Sequence, residues 1–414
     1  HLGFGANICE VKNVTRQPCF VRPVIRILQA QILARKSIML LKMKCLNFEA
    51  FPATQHTCTS SRRHLRVSAS VQPESSQRVE LREKRKQNVA GPFWVDSSCI
   101  NCDTCRWIEP SVFHADGGQS AVHHQPSEGS EEEAAALRAV TACPTGSIHF
   151  SNEEMTRVQA SAKVREGAVS FPYLFPKARE LGLEIYHLGY HSRDSFAATP
   201  WLVRNAETDL AVMVDTPRYS SKLKRAILDR VGEVKYIFLT HSHDVADHNK
   251  WAQELGAKRV IHECEADPSL AMTKEAGLGL DECEIKLQGE GPWDPFEGAL
   301  GAGTKLLWQP GHTPGGVVMH FQPEVPGPAV AFTGDHLAFV PALGRLGTFQ
   351  FINFQPPEVQ AEALRRWADD TAAADVCLVL PGHGRWYSTD DFAGELRDVA
   401  GQVERGEQEL NRPW

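Results

Sequence analysis

Thr240-His241-Ser242-His243-Asp244-Val245-Ala246-Asp247-His248 follows directly on the apolar run 235–239. A short apolar run bounded by turn residues reads as a buried strand, so Thr240 ends that strand and His241 begins a loop. The same arrangement recurs further along the chain. Pro310-Gly311-His312-Thr313-Pro314-Gly315, Thr333-Gly334-Asp335-His336 and Pro381-Gly382-His383-Gly384 each stand just past an apolar run, and Val214-Asp215-Thr216 precedes them all. One histidine in such a loop ordinarily serves as a surface or hydrogen-bonding group. The ordered recurrence points instead to a site at one place, because strand ends are where side chains from separate strands converge. Neutral imidazoles with a few carboxylates suit Zn, Fe or Mn, and the carboxylates lower the net charge of the site.

Around these loops, strand-like and helix-like stretches alternate, which predicts an α/β domain. Strands are expected at 183–188, 201–204, 210–214, 235–239, 259–262, 305–308, 317–321, 329–332 and 376–380. Helical spacing of Leu223, Ile227, Leu228 and Val231 predicts a helix over 220–231, and another is expected over 246–255.

In order, the T-H-x-H loop with Asp247-His248, the G-H-T-x-G, the T-G-D and the final G-H resemble the metallo-β-lactamase fold in its glyoxalase II-like branch, over 181–414. The resemblance implies an αββα sandwich with a metal site at one sheet edge, holding one or two divalent cations. It implies His241, His243 and His312 on one cation, Asp247, His248 and His383 on the other, and Asp335 bridging them, with Asp247 as the catalytic carboxylate. Asp215 is expected to orient the His loop through hydrogen bonds. One departure stands out: the family has one residue between the second His and the Asp, whereas Asp244-Val245-Ala246 intervene here. His243 and Asp247 therefore need not both reach the cations, Asp244 is able to replace either, and a mononuclear site stays open.

A second set lies upstream: Cys99, Cys102, Cys105 and the distant Cys143-Pro144. A 4Fe-4S cluster needs one thiolate per iron, and three cysteines at this interval with a remote fourth suit a cube better than a zinc tetrahedron. With its Asp116-Gly117-Gly118 turn and its Ala142-Cys143-Pro144-Thr145-Gly146 ending, 88–152 resembles a single-cluster bacterial-type ferredoxin. That implies a small α+β module with one 4Fe-4S cluster.

Charge is unevenly spread. Up to Gln72 there are 11 Lys and Arg against Glu10 and Glu49, a balance of +9, so the rest carries −16 within a total of −7. An acidic body lacks the cationic footprint of a nucleic-acid binder. The basic, Ser- and Arg-rich head 1–72 reads as a disordered transit peptide of plant or algal type, for a chloroplast rather than a mitochondrion, with Met39 or Met43 as candidate starts. Residues 73–87 and 153–180 read as linkers. No stretch reaches about 18 uncharged apolar residues, so no membrane span is expected.

These readings converge on a metal-dependent hydrolase that attacks an ester, thioester or amide, most simply with zinc, beside an iron-sulfur module of structural, sensing or electron-transfer role. The alternative is an iron-dependent oxidoreductase, persulfide dioxygenase-like or diiron, fed by the cluster. A small-molecule substrate is expected, and a redox partner for the cluster.

Overall fold

A computed structural model describes residues 82–151, 156–267 and 278–407. The targeting segment expected over 1–72 lies outside them. The described residues belong to one compact unit.

The first module comprises β1 (Phe93–Val95), α1 (Thr104–Ile108), β2 (Phe113–Asp116), β3 (Gln119–Val122), α2 (Glu131–Ala142) and β4 (Ile148–Phe150). β1 and β4 pair antiparallel, and β2 turns into β3 through Gly117 and Gly118, both at positive φ. Helix α2 starts where Ser130 Oγ accepts the Glu133 N–H, and its three leading glutamates face the positive end of the helix dipole. Phe93, Val95, Phe113, Leu137, Ile148 and Phe150 form its core.

Both expected linkers are structured where described. Arg85 donates to the carbonyls of Ser120 and Asp116, which ties 82–87 to the module. Residues 156–180 form α3 (Arg157–Val169), β5 (Tyr173–Leu174) and α4 (Pro176–Glu180). A capping box opens α3: Gln159 N–H donates to Thr156 Oγ1 and Thr156 N–H to Gln159 Oε1. Gly167 lets α3 approach α2 so closely that a Cβ there would lie 2.5 Å from the Leu137 carbonyl.

The larger part continues with β6 (Glu184–His187), β7 (Trp201–Asn205), β8 (Leu210–Val214), α5 (Ser221–Val231), β9 (Val234–Phe238), α6 (His248–Leu255), β10 (Lys258–His262), α7 (Glu263–Ala266) and β11 (Ile285–Leu287). Then come β12 (Lys305–Trp308), β13 (Val317–Phe321), β14 (Ala329–Gly334), β15 (Ala338–Val340), β16 (Arg345–Gly347), α8 (Pro357–Ala368), β17 (Val376–Pro381), β18 (Tyr387–Ser388) and α9 (Phe392–Glu404). One sheet runs β11-β10-β9-β8-β7-β6-β5 and the other β12-β13-β14-β17-β18. Trp201, Val212, Val214 and Phe238 of the first face Val317, Met319, Phe332 and Leu380 of the second. Outside the first sheet pack Leu223 and Ile227 of α5 and Trp251 of α6; outside the second pack Leu364 and Trp367 of α8 and Leu396 of α9. The result is the four-layer αββα sandwich. Strands β8, β13 and β14 are buried along their whole length, which explains why they read as continuous apolar runs rather than alternating ones.

Strand direction places the site. β8, β9 and β10 are mutually parallel, β14 is parallel to β17, and β12 is antiparallel to β13, which is antiparallel to β14. The loops after β8, β9, β10, β12, β14 and β17 therefore all leave at one edge of the sandwich. Asp215, His241, Glu265, His312, Asp335 and His383 lie in or just past those loops.

Candidate metal centre and cluster loop

His241, His243 and His312 bring their ring nitrogens together, as do His241, Asp244 and Asp335 their donor atoms. The three imidazoles stand nearly perpendicular to one another at 4.9–5.0 Å between centroids. His243 Nδ1 and His312 Nε2 are 2.9 Å apart. Asp335 Oδ2 lies 3.9 Å from His241 Nε2 and 3.6 Å from His312 Nε2, while its Oδ1 is 2.6 Å from His383 Nδ1. His383 Nδ1 is also 3.8 Å from Asp244 Oδ2.

The group is buried: His241 is 2 %, His312 3 %, Asp335 4 % and Asp244 0 % exposed. Burial pushes Asp244 well above the usual carboxylate range, and the charge of Asp335 adds to it. Burial acts on Asp335 in the same direction, but His383, His312 and His241 outweigh it and hold that carboxyl well below the range. His383 is pushed up to about 10, the Asp335 and Asp244 carboxylates overcoming its burial.

Whether these residues fit a cation is tested by what they leave unsatisfied. His241 Nε2 and both carboxylate oxygens of Asp244 are buried without a hydrogen-bond partner. Orphaned buried donors and acceptors are rare and costly in folded proteins, and these converge with two further imidazoles and Asp335. A hard-to-borderline divalent cation satisfies that set.

The surrounding residues aim the donors. Asp215, at φ 52 and 2 % exposed, accepts from the Thr240 N–H at 2.9 Å and from its Oγ1–H at 3.0 Å. With its hydroxyl proton so committed, Thr240 Oγ1 accepts from His241 Nδ1–H at 3.0 Å, which leaves His241 Nε2 with its lone pair toward the centre. Glu265 ties two loops together, its carboxylate accepting the N–H of Ser242 at 3.0 Å and of Gly315 at 2.8 Å. The sequence offered no motif for it; its signal is an acid just past β10 that neither loop can reach by itself. A Cβ on Gly382 would meet Asp244 Oδ2 at 2.6 Å, so only glycine fits beside that carboxylate.

Of the residues expected here, His241, His243, His312, Asp335 and His383 converge, and Asp247 and His248 do not. Asp247 caps α6 and its Oδ2 accepts the Tyr219 N–H at 2.5 Å; His248 Nε2–H donates to the Leu278 carbonyl at 2.8 Å. The inserted residues are the cause. Val245 is buried among Leu223, Ile237 and Trp251, its carbonyl accepts from Thr216 Oγ1, and Ala246 takes φ 36. The chain therefore leaves the site after Asp244 and begins α6 two residues later than its spacing suggests. His262 caps α7 and is hydrogen-bonded to Gly289 O at 2.9 Å, a structural position.

The cysteine loop is built by Asn101 and Asp103, both left-handed, which turn the chain around Cys102. Backbone N–H groups of Asn101 and Ser120 reach Cys99 Sγ at 3.5 Å, and that of Ser147 reaches Cys143 Sγ at 3.3 Å. Burial, then the neighbouring Cys143, pushes the Cys102 thiol up to about 12. A metal is what draws the proton from a thiol so buried, and N–H groups directed at sulfur suit the cradle of an iron-sulfur cluster.

An αββα sandwich with a buried His/Asp cluster, joined to a four-cysteine α+β module, defines a chain with two candidate metal sites. Residues 194–383 match the metallo-beta-lactamase superfamily and residues 95–150 the 4Fe-4S single cluster domain of Ferredoxin I, so the chain carries a metallo-beta-lactamase superfamily domain behind a single-cluster ferredoxin domain. Among solved structures it is similar to ETHE1 from Myxococcus xanthus (18% identity, 55% of this chain and 92% of that one, TM-score 0.36). It is similar also to BLEG-1 B3 metallo-beta-lactamase (17%, 53% and 99%, TM-score 0.38) and to an archaeal superfamily protein from Sulfolobus tokodaii (19%, 52% and 90%, TM-score 0.32). No curated protein matches.

Proposed function

We propose that the chain is a metal-dependent hydrolase of a small ester, thioester or amide. The observation that carries this reading is the convergence of six His and Asp side chains at one sheet edge, among which His241 Nε2 and both Asp244 carboxylate oxygens are buried without a partner. His241, His243 and His312 are the residues to hold one cation, and Asp244, Asp335 and His383 the residues to hold a second. A cation in such a site supplies a nucleophilic water near neutral pH and polarises the carbonyl it attacks. The protein's own groups do the rest. Asp215 and Thr240 fix the His241 tautomer. Phe354 packs its ring on that side, 5.3 Å from His243 and 6.0 Å from His312 between ring centroids. Asp244 takes the place expected of Asp247 as the carboxylate that accepts a proton. Zinc suits this nitrogen-rich set.

The second reading, an iron-dependent oxidoreductase, has its own support: Arg385, two residues past His383, is ion-paired with Asp103 inside the cysteine loop. Anaerobic metal analysis separates the two. About four iron and four sulfide with one or two zinc per chain, together with thioester or ester turnover, support the hydrolase; iron beyond the cluster's complement and no zinc sink it in favour of the oxidoreductase. On the composition of 1–72 we also propose plastid import, and a fusion of that segment to a fluorescent protein that stays in the cytosol refutes it.

A further inference from the structure

The cysteine loop and the His/Asp centre are joined by two routes that meet at adjacent residues. In the first, Asp103, 1 % exposed and lying between Cys102 and Cys105, receives Arg385 Nε on Oδ2 at 2.7 Å and an Arg385 terminal nitrogen on Oδ1 at 3.1 Å. Arg106 completes the pocket at 2.5 Å from Oδ1. Arg385 is aimed by a backbone bridge to Phe339 and follows His383 at a distance of two residues. In the second, Thr104 Oγ1 lies 3.4 Å from Cys102 Sγ and 3.5 Å from His191 Nδ1. His191 Nδ1–H donates to the Ala197 carbonyl at 2.8 Å, and the adjoining Phe196 carbonyl accepts His383 Nε2–H at 3.2 Å. Phe196 and Ala197 both take positive φ, a backbone that only a tightly determined loop keeps. Arg218 fastens the same region to the fourth cysteine, donating to the carbonyls of Cys143 at 3.2 Å, His191 and Thr141.

On the cluster side the routes run through buried residues, His191 at 0 %, Asp103 at 1 % and Arg106 at 3 % exposed, while the Arg385 side chain that reaches in is 32 % exposed. Charges interact far more strongly in such an interior than in water. An electron added at the cysteine loop therefore acts on the buried Asp103 carboxylate that holds Arg385, two residues from His383, and on the His191 loop whose Phe196 carbonyl meets His383.

We propose that electron occupancy of the cluster and cation occupancy of the His/Asp centre are linked through Arg385–Asp103 and His191, the reduced cluster strengthening the hold of that centre on its cation. This rests on the reading that both centres are loaded, and makes the cluster a redox regulator of the proposed hydrolase. The step is one electron, taken from a low-potential one-electron carrier protein. No bond forms or breaks; the added negative charge is balanced by tighter cation binding. Linkage is reciprocal, so the cation must raise the reduction potential of the cluster by the same free energy.

The test uses the full chain, with its cluster intact and its other metal removed by chelation, titrated anaerobically with zinc before and after dithionite reduction. Zinc is expected to bind about tenfold tighter to the reduced form, equivalent to about 59 mV in the potential of a one-electron couple. Arg385→Gln should cut the ratio below about twofold with iron and sulfide content unchanged, Arg385→Lys should restore most of it, and His191→Gln should lower it through the other route. If Arg385→Gln does not retain its cluster, Asp103→Asn is measured in its place. Equal zinc affinity in both redox states of the wild type overturns the proposal, as does a ratio that none of the variants changes. No substrate enters the titration, so a chain that hydrolyses nothing still answers it, and a hydrolase with uncoupled centres fails it.

Discussion

Asp244 and Asp247 are the pair on which the site turns, and spacing alone did not separate them. Both follow His243 closely, both are acids, and both can be drawn onto the family pattern; what distinguishes them is tertiary. Burial of Val245 and the left-handed turn at Ala246 send the chain away after Asp244. Asp244→Asn should weaken zinc binding at the His/Asp centre by about tenfold or more, the loss of a charged ligand, while Asp247→Asn leaves it within about threefold. Zinc titration of the two variants checks this, and the opposite order would restore the family's assignment. Asp215→Asn should cost about 10–100-fold in metal affinity or turnover, the usual loss when a group behind a ligating histidine is removed. Here the sequence was readable, because an acid that ends a strand ahead of a His loop has few other partners to serve. His241, His312, Asp335 and His383 were readable for a related reason: each ends a buried strand, and the strands run to a common edge.

Strands were the most legible elements, since β8, β9, β12, β13, β14 and β17 are short, apolar and bounded by turn residues. Helix α3 was not. Its apolar residues do not recur at helical spacing, so the stretch read as a linker despite its Thr156-x-x-Gln159 capping box, and its packing depends on one glycine against α2. α6 shows the complementary case: its amphipathic pattern was visible, but its first residue is set by the metal loop in front of it. Trp251, wholly buried with Nε1–H on the Pro217 carbonyl at 2.8 Å, fastens α6 to the sheet. Trp251→Ala should cost about 3–5 kcal/mol, read as a lower urea midpoint, with cluster absorbance unaffected before unfolding begins.

Within the intact chain the two modules meet around a pair of neutral imidazoles, which no motif foretold. His187 and His191 face each other with Nε2 atoms 2.8 Å apart, beside Trp107 of the cysteine module. Burial, then the neighbouring His191, holds His187 well below its ordinary 6.5, and burial holds His191 at about 3. Because both folded values lie below the unfolded one, the stability they contribute is complete above pH 6.5 and is lost as pH falls toward 3. The urea midpoint should therefore drop between pH 7.5 and 5.5, and drop less in His187→Gln; an unchanged slope removes the pair from the account. The edge of the large sheet carries a different consequence. β5, contributed by the segment between the modules, covers β6, whose Ile185, Tyr186 and His187 are buried. A chain cut at residue 181 to express the hydrolase-like part alone would uncover a strand with a row of open backbone groups beside apolar side chains, an invitation to edge-to-edge aggregation. The segment between the modules thus closes its neighbour's sheet edge, and failure of such a truncation to stay in solution should not be mistaken for loss of metal.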